Sequence, residues 1–125
     1  GTQQKDNVTG SVVTVDAEDA TKKRHVATVA DLLKGRVAGV IVREAPGGGL
    51  LIRIRGRGSI RGSGEPLYVI DGMPIHAEPG GALRGINPYD IKSITVLKDA
   101  AAAAIYGGRG AHGVVVITTK IGTSD

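Results

Sequence analysis

The stretch INPYDIKSITVLKDAAAAAIYGGRGAHGVVVITTK, residues Ile86 to Lys120, decides the fold because each element in it carries its own boundary signal. It begins with a short turn that Asn87 can cap, with Pro88 at the first position and Asp90 at the third. Ile91, Ile94 and Val96 then mark the apolar positions of Ile91 to Lys98, with Lys92 and Thr95 on another face. The pattern predicts a capped turn that leads directly into a strand.

The second half of this stretch predicts a helix and another strand. Asp99 is the expected cap of an alanine-rich helix over Ala100 to Tyr106, and Gly107 offers the left-handed residue that ends a helix. The small alanine side chains allow this helix to approach a sheet closely. Val114 to Thr119 is β-branched throughout, so it predicts a strand buried on both faces or nearly so.

The first third of the chain has weaker signals. Thr28 and Asp31 have capping-box spacing, and the apolar residues that follow them recur at helical intervals. The expected elements are an edge strand within Val8–Val15, a solvated charged connection over Asp16–His25, a helix from Thr28 to Gly39, and a strand over Val40–Arg43.

The segment from Leu50 to Arg57 is the sharpest physical feature of the sequence. Isoleucines at 52 and 54 alternate with Arg53, Arg55 and Arg57, and Arg61 follows without an acidic residue between them. Successive side chains of a strand point to opposite faces. The segment therefore predicts a strand with one apolar face and one strongly cationic face.

A short strand and a tight turn follow the cationic strand. Leu67 to Ile70 is apolar, and Asp71-Gly72 is a turn signal. Pro74 forbids a central strand beyond that turn, because proline cannot donate to a sheet ladder. His76 to Arg84 is rich in glycine and alanine and is expected to be a loop.

Composition limits the fold class. At 125 residues the chain is expected to be one domain, with a core of Val, Ile, Leu and Ala because aromatic residues make up only 2%. Twenty glycines indicate much loop and tight turn. No cysteine is present, and no apolar run approaches the roughly 20 residues of a membrane helix. We expect a small mixed β-sheet with short flanking helices and long Gly-rich loops, an α/β (α+β) domain.

No motif of the sequence indicates catalysis or a cofactor. Gly108 to Gly113 matches G-x-G-x-x-G, but a helix precedes it and a strand follows, the reverse of the dinucleotide-binding context. Its glycines fit a tight reversal between packed elements. His25, His76 and His112 have no metal-ligand spacing, and no serine lies in a nucleophile turn. We expect no catalytic residue, no cofactor and no metal.

The arginines of the cationic strand need water or carboxylates from a partner, because burying them alone would be costly. A net charge of +4 and a pI near 9.6 make nucleic acid one alternative. No aromatic residue interleaves with the arginines, and no reading helix is evident. We therefore do not expect nucleic acid to be the partner.

Four ordered motifs resemble one family. They are LLKGRVAGVIV (Leu32–Val42), IRIRG (Ile52–Gly56), PLYVIDGMPI (Pro66–Ile75) and the opening stretch. Together they resemble the plug domain of TonB-dependent outer-membrane receptors, in the SusC-like or RagA-like subfamily. The resemblance predicts one plug domain over residues 1–125, in which residues 28–120 carry the match and residues 1–7 are expected to be mobile.

The resemblance implies a plug that closes the pore of a large outer-membrane β-barrel and faces the periplasm. TonB would move it to admit a substrate, commonly a glycan or a peptide, which a SusD-like surface lipoprotein hands to the receptor. The implied barrel contacts are Arg53, Arg55, Arg57, Lys98 and Arg109. Arg55 and Lys98 match the two basic positions that pair with barrel glutamates, although a lysine replaces the usual arginine at 98 and makes only a single-point contact.

Loops at the apex of such a plug would face the substrate. The residues implied by this placement are Pro46, Gly47, Gly48, Gly49, His76 and Glu78. The chain is too short to hold about 22 barrel strands of about ten residues each, and no TonB box is recognisable in it. The alternative is a free-standing, soluble, periplasmic domain with the plug fold that binds an acidic protein or envelope component.

Overall fold

The computed structural model describes residues 12–23, 25–33, 36–37, 39–44, 49–54, 65–75, 83, 85–110 and 112–121. The strands are β1 (Val12–Asp16), β2 (Val40–Glu44), β3 (Leu50–Ile54), β4 (Leu67–Ile70), β5 (Met73–Ile75), β6 (Ile91–Leu97) and β7 (Val114–Thr119). The helices are α1 (Ala17–Lys23), α2 (Val29–Leu33) and α3 (Asp99–Tyr106). Two 3₁₀ turns cover Pro88–Asp90 and Gly107–Gly110.

A five-stranded mixed sheet forms the centre of the domain, in the order β1-β6-β7-β4-β5. Strands β4 and β7 are parallel and the other neighbours are antiparallel. Val114, Val115 and Ile117 of β7 are at most 1% exposed, so the prediction of a strand buried on nearly both faces is confirmed. The expected mixed sheet with short helices is confirmed as well.

A separate two-stranded sheet is formed by the β2–β3 hairpin, in which Val42 pairs with Ile52. Both strands were predicted. The edge position of β1 was also predicted, and residues 8–11 of that prediction lie outside the described part of the chain, as do residues 1–7. Strand β5 lies at the other edge of the main sheet and contains Pro74, in agreement with the rule that proline cannot occupy a central strand.

The two faces of the main sheet pack against different layers. One face packs against α1, α2, β2 and β3, and we call these four elements the hairpin layer. The sheet residues on this face include Tyr68, Ile94, Val96, Val115 and Ile117. The other face consists of Val69, Leu97 and Val114 and packs against α3 through the fully buried Ala102. We call α3 and the Gly107–Gly110 turn the helix layer. The sheet thus lies between two layers.

Helix α1 occupies Ala17–Lys23, so the prediction of a solvated connection over Asp16–His25 is wrong for these residues. The Asp16 carboxylate accepts the backbone N–H of Asp19 at 3.0 Å, as an N-cap does. Acidic residues lie in the first turn and Lys22 and Lys23 in the last, which suits the helix dipole. Because Ala17 and Ala20 are buried against the core, tertiary packing completes the helix.

Two helix boundaries also differ from the prediction. Helix α3 begins at Asp99, so its N-cap is Lys98, whose backbone is extended and whose C=O accepts the Ala101 N–H at 3.0 Å. Gly107 ends α3 at φ +62°, as predicted. Helix α2 ends at Leu33 and was expected to run to Gly39; Arg36 and Val37 lie in a turn and a bend, and their N–H groups donate to the Leu33 C=O at 3.1 and 3.3 Å.

Local caps at other positions agree with the prediction. The Asp31 carboxylate accepts the N–H groups of Ala27 and Thr28, at 2.9 and 3.3 Å, and Asn87 accepts the Tyr89 N–H at 2.9 Å. The predicted Asp71-Gly72 turn connects β4 and β5, with φ of +49° and +86°. Positive φ at both residues matches the twist of a two-residue hairpin.

Asp71 also connects this turn to the end of β7. Its carboxylate accepts the Thr119 hydroxyl at 2.6 Å and the Thr119 N–H at 2.8 Å. Both hydrogen bonds lower the pKa of Asp71, and the bond from the Thr119 hydroxyl has the larger effect. The carboxylate therefore holds the β4–β5 hairpin to the central strand in its ionised form.

We expect Asp71→Asn to lower the free energy of unfolding at pH 7 by about 1 kcal/mol, because an amide keeps only part of this charge-assisted bonding. Since folding depresses the pKa of Asp71 below its ordinary value of 3.8, its contribution is complete above that value and is lost as the pH falls through the folded pKa. Urea unfolding at several pH values measures this. The difference between variant and wild type should shrink from about pH 4 towards pH 2.

The control is Asp90→Asn, an exposed aspartate whose side chain makes no hydrogen bond within the described ranges. It should change the free energy of unfolding by less than about 0.5 kcal/mol. An Asp71→Asn difference that stays constant down to pH 2 would contradict the assigned role of the carboxylate.

Candidate functional site

Strand β3 presents the cationic face that the sequence predicted. Ile52 and Ile54 are buried and Arg53 between them is exposed, which confirms the alternation as far as β3 is described. Arg55, Arg57 and Arg61 lie outside the described residues. The structure therefore shows the first arginine of the series and the two isoleucines that orient it.

Tyr68 anchors β3 to the main sheet. Tyr68 is only 4% exposed, and its hydroxyl donates to Glu65 Oε2 at 3.1 Å and hydrogen-bonds the backbone of Ile52. Burial, and then the nearby Glu65 carboxylate, raise the pKa of Tyr68 above its ordinary value, so the phenol stays protonated and keeps its donor at neutral pH. Sequence reasoning missed this anchor because no local signal reports a contact between β3 and β4.

Gly113 allows a second close contact between the hairpin and the main sheet. It has φ +93°, and a methyl group on it would lie 2.7 Å from Ile54 Cδ1 and 3.2 Å from the Leu97 carbonyl oxygen. Ile54 directly precedes Arg55, and Leu97 directly precedes Lys98. Ile54 and Leu97 therefore both approach Gly113. Each is followed in the sequence by a predicted barrel-contact residue, Arg55 or Lys98.

The other glycines of the reversal also have structural roles. A methyl group on Gly110 would lie 2.8 Å from the Ala102 carbonyl oxygen, so glycine lets the 3₁₀ turn pack on α3. The segment Gly108–Gly113 follows a helix and precedes a strand. The prediction of a tight reversal instead of a dinucleotide loop agrees with this arrangement.

The remaining predicted cations lie in or beside the helix layer. Lys98 is half-buried at the N-cap of α3, and Arg109 is exposed in the 3₁₀ turn after it. Arg109 makes no hydrogen bond or ion pair within the described ranges. Lys98 and Arg109 therefore lie beyond opposite ends of α3, whose remaining described side chains are uncharged.

Arg43 extends the cationic surface beyond the predicted residues. The hairpin register pairs Ile41 with Arg53 and Arg43 with Leu51, so these four side chains share the outer face of the hairpin, and we call them the hairpin patch. Arg43 is exposed like Arg53. The sequence identified β2 as a strand but contained no signal for its register, which is what brings Arg43 beside Arg53.

The predicted apex loops are described only in part. Pro46, Gly47, Gly48, His76 and Glu78 lie outside the described residues, whereas Gly49 is buried at the start of β3. A cleft of about 240 Å³ lies beside it, lined by Ala27, Thr28, Val29, Gly49, Leu50, Leu83, Gly85 and Ile86. The described ends of both predicted loops therefore meet at one cleft.

Within the described part of the chain, no three His, Asp or Glu side chains are grouped as metal ligands would be. His25 instead lies beside Tyr89, with Nδ1 3.4 Å from the phenol oxygen that accepts the Val26 N–H. His112 is exposed, and His76 is not described. No helix in the described ranges has the length and hydropathy needed to cross a membrane.

Comparisons with known proteins agree with this geometry. Residues 4–114 match the family model of the TonB-dependent Receptor Plug Domain. A TonB-dependent receptor of Formosa agariphila is 52% identical over 98% of the chain, and the TonB-dependent receptor SusC of Bacteroides thetaiotaomicron is 45% identical over 98%. The chain spans only 12% and 13% of the lengths of these two receptors.

Solved structures show the same fold. The RagAB peptide importer in its open-open state superposes with a TM-score of 0.66 and 41% identity, over 96% of this chain and 13% of the importer chain. The ferric enterobactin receptor PfeA in complex with BCV-L6 gives a TM-score of 0.65 and 26% identity, over 95% of this chain and 18% of the receptor. These homologues are named as receptors and importers, not as enzymes.

We expect Gly113→Ala to destabilise the chain by about 2 kcal/mol, because a side chain at φ +93° is strained and its methyl group would collide with Ile54. Gly108→Ala is the matched control, since nothing lies within 4 Å of an added Cβ there and its φ is not positive. The control should change stability by less than about 0.5 kcal/mol. Equal thermal unfolding midpoints for the two variants would contradict the role assigned to Gly113.

We expect Tyr68→Phe to cost about 1 kcal/mol and to speed hydrogen exchange of the Ile52 amide, because that amide loses its partner. The control is Tyr106→Phe, whose half-buried hydroxyl makes no hydrogen bond within the described ranges. Native-state hydrogen exchange distinguishes the two variants. Unchanged protection of Ile52 in Tyr68→Phe would show that the phenol does not anchor β3.

Proposed function

Because the chain belongs to the TonB-dependent receptor plug domain family, we propose that it closes the pore of an outer-membrane β-barrel and moves on TonB engagement to admit substrate. The main support for this proposal is that nearly all of this chain matches only a small part of each receptor. The match extends over 98% of the chain but only 12–13% of the receptors. Residues 1–125 then form one plug domain, inside the barrel lumen and facing the periplasm.

The exposed cations support this placement. A porin-type lumen is polar, and arginine binds carboxylates through two parallel hydrogen bonds. We propose that Arg53, Arg55, Arg57, Lys98 and Arg109 meet carboxylates of the barrel wall. Lys98 would make a single-point contact, which fixes orientation less than a guanidinium would.

The plug as proposed acts by position, not by chemistry. The packed layers make the domain stable, because the main sheet is buried on both faces near β7. Contacts of Tyr68 and Gly113 hold the β2–β3 hairpin against this sheet. TonB, pulling from the periplasm, would displace this body or part of it and open a path along the wall. No covalent step is required.

For the substrate, we propose a glycan or a peptide. The structural relative RagAB is a peptide importer, and SusC is among the sequence relatives. A SusD-like surface lipoprotein would deliver substrate to the complete receptor. The cleft beside Gly49 and Leu83 supports contact between substrate and the loops that contain Pro46–Gly49 and His76–Glu78.

The test uses a receptor that carries this domain, with Arg55→Glu and Lys98→Glu combined. Charge reversal should weaken closure and raise the influx of a large antibiotic, because each glutamate would face a wall carboxylate. Lys22→Glu combined with Lys120→Glu is the control, since both lysines are exposed and neither is assigned a wall contact. Unchanged influx and unchanged substrate uptake in the Arg55/Lys98 variant would count against these contacts.

A further inference from the structure

The turn between β4 and β5 contains a chemically labile dipeptide, Asp71-Gly72. Asp71 has φ +49° and Gly72 has φ +86°, and a two-residue turn with positive φ at both positions accepts few pairs, chiefly Asn-Gly, Asp-Gly and Gly-Gly. Aspartate cyclises most readily before glycine, because glycine leaves the attacking backbone nitrogen without a neighbouring side chain. The conformation of the turn therefore favours a residue pair that is prone to cyclisation.

The cyclisation needs no reagent other than water. The Gly72 nitrogen attacks Cγ of the protonated Asp71 carboxyl group, an N–Cγ bond forms, and the Cγ–O bond breaks so that the hydroxyl leaves with the amide proton as water. Water then opens the succinimide at either carbonyl. Opening at the side-chain carbonyl restores aspartate, whereas opening at the backbone carbonyl leaves isoaspartate, with an additional methylene in the main chain.

The attacking nitrogen of Gly72 is accessible. Asp71 and Gly72 are both exposed, so water reaches them. Apart from its two chain neighbours, no atom lies within 4 Å of a Cβ built on Gly72. The Gly72 N–H makes no hydrogen bond within the described ranges. Neither steric shielding nor a competing acceptor therefore keeps this nitrogen from the carboxyl group.

Thr119 holds the other reacting group. Its N–H donates to Oδ1 of Asp71 at 2.8 Å and its hydroxyl donates to Oδ2 at 2.6 Å, so turning the carboxylate towards Gly72 would break both hydrogen bonds. The position of Thr119 is fixed in turn by its pairing with Ile91 of β6. The two bonds also lower the pKa of Asp71, so at neutral pH the carboxylate lacks the proton that the leaving oxygen needs.

We propose that Asp71-Gly72 is a latent site of isoaspartate formation, and that Thr119 suppresses the reaction by holding the Asp71 carboxylate away from the Gly72 nitrogen. Isoaspartate at position 71 would lengthen the main chain between β4 and β5 and move the carboxylate onto Cα. The hairpin would then lose its connection to β7 permanently. This role of Thr119 does not depend on the proposed pore-closing function.

The experiment follows the cyclisation in the folded 125-residue chain at neutral pH, in water enriched in heavy oxygen. Each cycle of closure and hydrolysis places a heavy oxygen at position 71, whichever carbonyl opens, and mass spectrometry of the peptide that contains it measures the rate. Thr119→Val removes the hydroxyl donor. Thr118→Val makes the same change at the neighbouring position of β7, which is not a partner of Asp71.

We expect Thr119→Val to incorporate heavy oxygen about tenfold or more faster than Thr118→Val, because losing a charge-assisted hydrogen bond raises the population of released carboxylate by roughly this factor. Thr119→Ser keeps the hydroxyl and should stay near the wild type. Thr119→Ala and Thr118→Ala form a second pair, so that the result does not depend on how valine packs. Equal rates within both pairs would overturn the proposal.

Two further comparisons separate local release from unfolding. The wild type unfolded in urea gives the rate of the unprotected dipeptide, and a folded wild type that reacts as fast would overturn the proposal. Gly113→Ala is expected to destabilise the chain at the opposite end of β7, where Thr119 and Asp71 are not involved. It should leave the rate at position 71 near that of the wild type, and an acceleration equal to that of Thr119→Val would assign the effect to global unfolding and contradict the role of Thr119.

Discussion

The burial of β7 between β6 and β4 is the constraint on which the rest of the structure depends. Its β-branched residues alternate between the two cores, Val115 and Ile117 against the hairpin layer and Val114 against the helix layer. Because β7 contributes buried side chains to both hydrophobic cores, a shift of either layer would change how the other layer packs. The parallel pairing with β4 and the hydrogen bond that the Thr119 N–H donates to the Asp71 carboxylate extend this constraint to the turn between β4 and β5.

The cationic surfaces follow from this central strand. Gly113, the residue before β7, lets Ile54 of the hairpin and the Leu97 carbonyl approach the same point. Tyr68 holds the backbone of β3 from the neighbouring strand. Arg53 on the outer face of the hairpin and Arg109 in the helix layer are therefore on opposite sides of the main sheet.

Sequence patterns predicted those elements whose boundaries are local. The turn at Asn87, the strand β6, the end of α3 at Gly107 and the Asp71-Gly72 turn each depend on residues within one or two positions. Helix α1 has such a signal too, since Asp16 caps it, but its run of charged residues also fits a solvated connection. The Tyr68 contact and the placement of Arg43 beside Arg53 depend on strand register and on packing across layers, which no local pattern reports.

The most direct test of the proposed function is the structure of a complete receptor carrying this domain, in its closed state without substrate. The distances to be measured join the guanidinium groups of Arg53 and Arg109 to the nearest carboxylate oxygens of the barrel. We expect contacts within about 4 Å. Guanidinium groups that both face water would contradict the proposed wall contacts.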